Sequence, residues 1–185
     1  MVSTLDRKRS SFLHRVFGAL ALRAGTYEEV EADPGANWQA VAVVVLSSVA
    51  AGFGAHGFGP GGPGDVAFFG VVALMAWVAW ALVIYEIGAR ILPGAETRAD
   101  VGQLLRTTGF ATAPGLLRIV GLMPELTIPG FVVAAVWMLL AMVVAVRQAL
   151  DYTSTGRAIA VCGLGWVLAI ALAILFGVLF GPRVS

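Results

Sequence analysis

The sequence predicts an all-α fold, a polytopic membrane helical bundle with five transmembrane helices preceded by an N-terminal interfacial amphipathic helix. Three observations carry that expectation: a mean hydropathy of +0.89, 59% hydrophobic against 12% charged residues, and successive apolar runs each of about twenty residues, the length that crosses a bilayer as a helix. A soluble domain of 185 residues must clothe its core in polar side chains and does not reach this hydropathy. The chain divides into a cytoplasmic arm, residues 1–36, and a membrane domain, residues 37–185. The single cysteine, Cys162, lies in an apolar run and leaves no intrachain disulfide to consider.

The first element is the stretch SFLHRVFGALALRA. Phe12, Leu13, Val16, Phe17 and Leu20 recur at helical spacing, with Lys8 and Arg15 assigned to the opposite face. Arg9 and Arg23 fall toward the apolar side, so the helix is expected between them. A basic amphipathic helix beside membrane spans is expected to lie on the inner leaflet; packing on the ends of the spans is the alternative. Charges interrupt this region, so it is not read as a secretory signal. An acidic arm follows, TYEEVEADP, with Glu28, Glu29, Glu31 and Asp33 just before the first span.

The spans expected from the apolar runs are Asn37–Phe58, Val66–Ile91, Val101–Pro124, Gly130–Arg147 and Ala158–Phe180. The third is the unusual one, because RTTGFATAPGLLR places Arg106 and Arg118 on either side of Pro114 and Gly115. It either crosses or turns back as a hairpin. Lysine and arginine positions decide for crossing: ten of the twelve then fall on one side, with only Arg118 and Arg183 on the other, as the positive-inside rule requires. The N-terminus is therefore expected in the cytoplasm and the C-terminus outside. Pro114 lacks an N–H and its ring opposes the Phe110 carbonyl, so a helix break is expected over Phe110–Gly115, with Thr108 or Thr112 satisfying freed carbonyls. Arg118 is expected to snorkel to the outer headgroups.

At this point the runs TYEEVEADPGANWQAVAVVVLSSVAAG, GQLLRTTGFATAPGLLRIV and VWMLLAMVVAVRQALDYTSTGRAIAVC resemble a bacterial branch of the Yip (Ypt-interacting protein) family, over most of residues 26–170. The resemblance implies five spans and a cytoplasmic N-terminus. Eukaryotic members interact with Rab-type GTPases in early secretory traffic. No long cytosolic segment that would dock a GTPase is present here, so that activity is not transferred. For bacterial-type members the resemblance implies a fold without a settled biochemical role.

Reactive groups are sparse. His14, His56 and Cys162 are far apart in the expected topology, and no HExxH, phosphate-binding glycine loop or DxxD pair occurs. No enzyme activity, cofactor or metal site is expected; the acidic cluster lacks a ligand-loop pattern and calls for solvation or ion pairing instead. The informative set is ionisable and lies at one membrane depth: Glu86, Arg90, Arg106, Arg147, Asp151 and Arg157, with Gln103 and Gln148 nearby. Glu86 with Arg90, and Arg147 with Asp151, stand one helical turn apart. The set carries excess positive charge, and Glu28, Glu29 or Glu31 is expected to pair with Arg106, Arg147 or Arg157, so that the arm gates a basic groove. The expected function is non-enzymatic: organising membrane or binding lipids and protein partners through the cytoplasmic face. A small-solute transporter or channel built on the Pro114–Gly115 break is the alternative. Expected partners are membrane lipids, including anionic headgroups, and a second copy or other membrane proteins; nucleic acid is not among them. The GVLFG stretch at residues 177–181 fits the small-residue packing pattern, but such matches are common in a glycine-rich chain and it is not read as a dimer contact.

Overall fold

The computed structural model describes residues 11–56, 63–94, 97 and 99–180, and these form an all-helical bundle. The GVLFG stretch runs beyond the described residues, as do Arg7, Lys8, Arg9, Arg98 and Arg183.

Helix α1 spans Phe12–Leu20, opened by Ser11, whose hydroxyl accepts from the His14 N–H at 3.4 Å. It lies inside the limits set by Arg9 and Arg23. Leu22 takes a left-handed φ of 55°. That conformation lets the Leu22 and Arg23 N–H groups return to the carbonyls of Ala19 and Gly18, both at 3.0 Å, closing the helix in a Schellman turn. Helix α2, Ala24–Ala32, then folds back to make a hairpin with α1. Asp33 ends α2 and accepts from the Gly35 N–H at 3.0 Å, which starts the short 3-10 turn Pro34–Ala36 leading into α3, Asn37–His56.

Helix α4, Pro63–Tyr85, runs on into a π-helical turn, Glu86–Ile91. Helix α5, Val101–Phe110, begins with a capping box: Asp100 accepts from the Gly102 N–H at 3.1 Å, and Gln103 accepts from the Asp100 N–H at 2.7 Å. Gln103 is thereby committed to the helix start rather than to the charged set. Helices α6, Thr127–Ala149, and α7, Thr155–Phe180, complete the bundle. Among the described residues, four helices are long and apolar enough to cross a membrane: Pro34–Ala55, Gly70–Ile91, Pro124–Ala149 and Thr155–Leu172.

The third expected span is not one continuous α-helix. Helix α5 stops at Phe110, and after a turn at Ala111–Thr112 the chain continues as a 3-10 helix, Ala113–Leu122. The break falls where Pro114 requires it, and Thr112 Oγ1 donates to the Gly109 carbonyl at 2.7 Å while Thr108 Oγ1 donates to Leu104 at 2.5 Å. The broken segment runs beside α3 in the same direction. Gly109 packs on Ala40, Gly115 on Ser47, and Gly121 and the Arg118 carbonyl on Gly54. It therefore follows α3 from Ala40 to Gly54 for about 21 Å, at roughly 1.5 Å per residue.

Two buried clusters hold these elements. One joins the α1–α2 hairpin to α3, α5 and α6 through Val16, Ala19, Tyr27, Val30, Ala40, Phe110 and Ala145. The other joins α4, α5, α6 and α7 through Ile84, Leu104, Val146, Leu150 and Val161. Small residues let the backbones of α3 and the broken segment approach. A Cβ at Gly54 would fall on the Arg118 main-chain carbonyl, whereas one at Gly52 meets open space. Gly54→Ala should therefore destabilise the protein by ~1–3 kcal/mol through overpacking, and Gly52→Ala should be neutral or slightly stabilising; thermal melting in mild detergent reads both.

Candidate functional site

The N-terminal hairpin meets the bundle through two buried arginines. Four carboxylates crowd the C-terminal half of α2 and its cap, where the helix dipole is already negative and the last carbonyls lack intrahelical partners. Glu29 and Asp33 stand one turn apart and share a face. Arg15, only 1% exposed, reaches both from α1. Its Nη2 lies 2.9 Å from Glu29 and 2.8 Å from Asp33, its Nε donates to Glu29 at 3.1 Å, and its Nη1 donates to Gln39 of α3 at 3.0 Å. Burial alone lowers the Arg15 pKa, but the hydrogen bonds and charges of Asp33 and Glu29 outweigh it and the net shift is upward.

This corrects the assignment of Arg15 to a solvent-facing side of α1. The buried face contains Arg15, Val16, Gly18 and Ala19, while Leu13 and Phe17 are exposed. Periodicity groups arginine with water by default, and here its partners are on the next helix.

Arg106, 7% exposed, enters from α5 and caps the other open group of α2. Its Nη2 donates to the Glu31 carbonyl at 2.6 Å, its Nε to the Glu31 and Val30 carbonyls at 3.1 and 3.2 Å, and its Nη1 to the Asn37 side chain at 3.2 Å. The arm is thus held against Arg106, but through main-chain oxygens and not through the carboxylate pair expected. Glu28 accepts from Gln148 of α6 at 2.7 Å. The Glu31 carboxyl is pushed up to about 7, first by desolvation and then by the charges of Asp151 and Glu28, against the opposing pull of Arg106.

The remaining members of the charged set form a separate rim at the same end of the bundle. Tyr152 is its centre: the hydroxyl lies 2.8 Å from both the Gly88 and Leu92 carbonyls, stitching the α6–α7 connection to the π turn. Arg147 Nε donates to the Tyr152 carbonyl at 3.3 Å. Arg157 Nη1 donates to the Pro93 carbonyl at 2.8 Å, and its guanidinium carbon stands 5.8 Å from the Tyr152 ring centroid. Among the described residues neither arginine has a carboxylate within ion-pair distance. The pairing of Arg147 with Asp151 is therefore absent; Asp151 adopts a φ of 51° in the turn and is exposed. Glu86 and Arg90 do form the expected pair, at 3.1 Å, on an exposed surface.

At the far end of the bundle, Arg118 places its guanidinium carbon 5.6 Å from the Phe131 ring centroid, and its Nε is buried without a hydrogen-bond partner. Packing on Phe131 thus replaces simple snorkelling for that part of the side chain. Pro114 and Gly115 are buried, with Gly115 against Ser47 and Met138. Sequence reasoning missed Gln39, Asn37, Pro93 and Tyr152. The i,i+4 spacing of Glu29 and Asp33 was the available sign that a cation faces α2; acceptor carbonyls leave no sign in a sequence.

Arg15→Met removes the countercharge of two partly buried carboxylates and should cost about 3 kcal/mol, seen as a lower melting temperature and faster proteolysis within residues 11–36. The raised Glu31 pKa gives a second expectation. The folded state holds this proton more tightly than the unfolded chain, so its contribution to stability is full below about pH 4.5 and is lost as pH rises through about 7. Glu31→Gln should flatten that decline when melting is followed from pH 5 to pH 8; an unchanged decline would remove Glu31 as its source.

Residues 17–176 match the Yip1 domain. No curated protein and no solved structure matches the chain. The Yip1 match runs from within α1 to near the end of α7 and takes in the arginine contacts of Arg106, Arg147 and Arg157, and on that basis the chain belongs to the Yip family, as a membrane protein with several apolar helices.

Proposed function

We propose that the protein is a non-enzymatic, five-span component of a bacterial-type inner membrane, with a cytoplasmic N-terminus and an external C-terminus, and that its cytoplasmic rim binds anionic lipid headgroups. The course of the broken third segment along α3, from the level of Asn37 to that of Gly54, supports its counting as a span. With five spans the basic residues Arg90, Arg147 and Arg157 share the cytoplasmic side.

The observation that carries the lipid reading is the state of Arg147 and Arg157. Both are fixed around Tyr152 by main-chain carbonyls, which orient a guanidinium without neutralising it. Three of the four carboxylates of the acidic arm are engaged elsewhere: Glu29 and Asp33 with Arg15, and Glu28 with Gln148. Two oriented cations beside a low-dielectric layer call for an anion, and phosphate headgroups are the anions at that level. The close packing of Gly115 on Ser47 and Met138 weighs against a transport pathway through the break.

Two experiments test this. Each basic residue near a bilayer surface contributes about 1 kcal/mol to anionic-lipid attraction, so Arg147→Gln with Arg157→Gln should reduce phosphatidylglycerol retention through detergent exchange about thirtyfold. Unchanged retention would overturn the lipid reading. For topology, a cysteine at Gly61 should react with an impermeant reagent from outside and one at Arg157 should not; reaction of both from the same side would return the third segment to a hairpin.

A further inference from the structure

The α1–α2 hairpin enters the bundle more deeply than a helix lying on a membrane surface could. Trp137 stands near the middle of α6, Thr127–Ala149, about 15 Å from either end of that helix. Its indole Nε1 donates to the Leu20 carbonyl at 2.9 Å, at the last residue of α1. The base of the hairpin, by contrast, is at the arginine-rich end, where Arg15 meets Gln39 and Glu28 meets Gln148. Helix α1 thus runs inward from Arg15 to Leu20, and α2 returns to Glu31.

The turn is built for a site without water. The Ala19 carbonyl receives the Leu22 N–H and the Tyr27 hydroxyl, at 3.0 and 3.3 Å; the Gly18 carbonyl receives the Arg23 N–H; and the Leu20 carbonyl receives Trp137. Non-helical backbone persists at membrane depth only when its polar groups find such internal partners. A leucine, not a glycine, occupies the left-handed position, and Leu22 packs against the buried cluster. On the outer side of α1, Leu13 is 63% and Phe17 66% exposed. Two large apolar side chains one turn apart then face outward from a helix that descends along α6.

We infer that the α1–α2 hairpin is a re-entrant wedge, inserted from the cytoplasmic side part-way into the cytoplasmic leaflet, and that Leu13 and Phe17 contact the acyl chains of that leaflet. The hydrocarbon-facing surface of the spans continues onto α1. Arg23 is exposed at the turn, and a long basic side chain at that depth reaches back toward the headgroups. The wedge occupies one leaflet only.

Spin labels placed singly at Leu13→Cys and Phe17→Cys, in a Cys162→Ala background reconstituted in phosphatidylcholine–phosphatidylglycerol bilayers, test the inference by comparing accessibility to oxygen and to a polar nickel chelate. Both positions are exposed, so the labels leave the packing intact. A label at Ile170, on the exposed side of α7, provides the hydrocarbon reference, and one at Glu28 the polar reference. Both test labels should favour oxygen, with Phe17 deeper than Leu13 by about 6 Å, four residues of helix rise. Equal depth at the two positions would mean a helix lying along the interface and would overturn the wedge, as would access by the nickel chelate to both. An Ile170 label open to the chelate would instead overturn the membrane placement of the bundle, on which the wedge rests.

Discussion

The fold is organised around the negative end of α2. Four carboxylates and the unpaired carbonyls of a helix terminus meet within one short segment, and neither set can be buried without positive partners. Arg15 answers the carboxylates of Glu29 and Asp33, and Arg106 answers the carbonyls of Val30 and Glu31. Because the first arginine also binds Gln39 and the second Asn37, both contacts extend onto α3. Two guanidinium groups therefore join α1, α2, α3 and α5 at one level of the molecule.

This arrangement separates two kinds of arginine that resemble one another in the sequence. Arg15 and Arg106 are buried, the first on two carboxylates and the second on main-chain carbonyls and Asn37, and both hold the hairpin in place. Arg147 and Arg157 are oriented by carbonyls around Tyr152, and in the proposed function they are the groups that meet an external anion. Breaking a buried pair leaves a costly uncompensated charge, whereas removing a rim arginine changes mainly what the surface attracts. Stability and recognition thus rest on different residues at the same end of the bundle.

Hydropathy revealed the long helices because each must satisfy its backbone internally and present apolar side chains to lipid. Pro114 marked the break for an equally local reason, the missing N–H. The arm was less legible. Arg15 at helical spacing looked like part of a polar face, and nothing in the neighbouring residues announced that Leu22 would adopt a left-handed conformation and bring α2 back across it. Arg106 was singled out as a charge needing an answer, but apart from the Asn37 side chain its acceptors are backbone oxygens, which every residue carries. Arg147 and Asp151 stood at salt-bridge spacing, yet α6 ends at Ala149 and the turn takes Asp151 off the helical register.

The central claim is that the hairpin is an integral part of the bundle, fixed by Arg15 and Arg106. Native-state hydrogen exchange in lipid nanodiscs addresses it directly by comparing the amides of Val16–Ala19 and Tyr27–Val30 with those in the middle of α3. If the claim holds, the hairpin amides exchange as slowly as those of α3, because they open only when the bundle does. Hairpin amides that exchange orders of magnitude faster, while α3 stays protected, would show an arm that detaches freely and would contradict it.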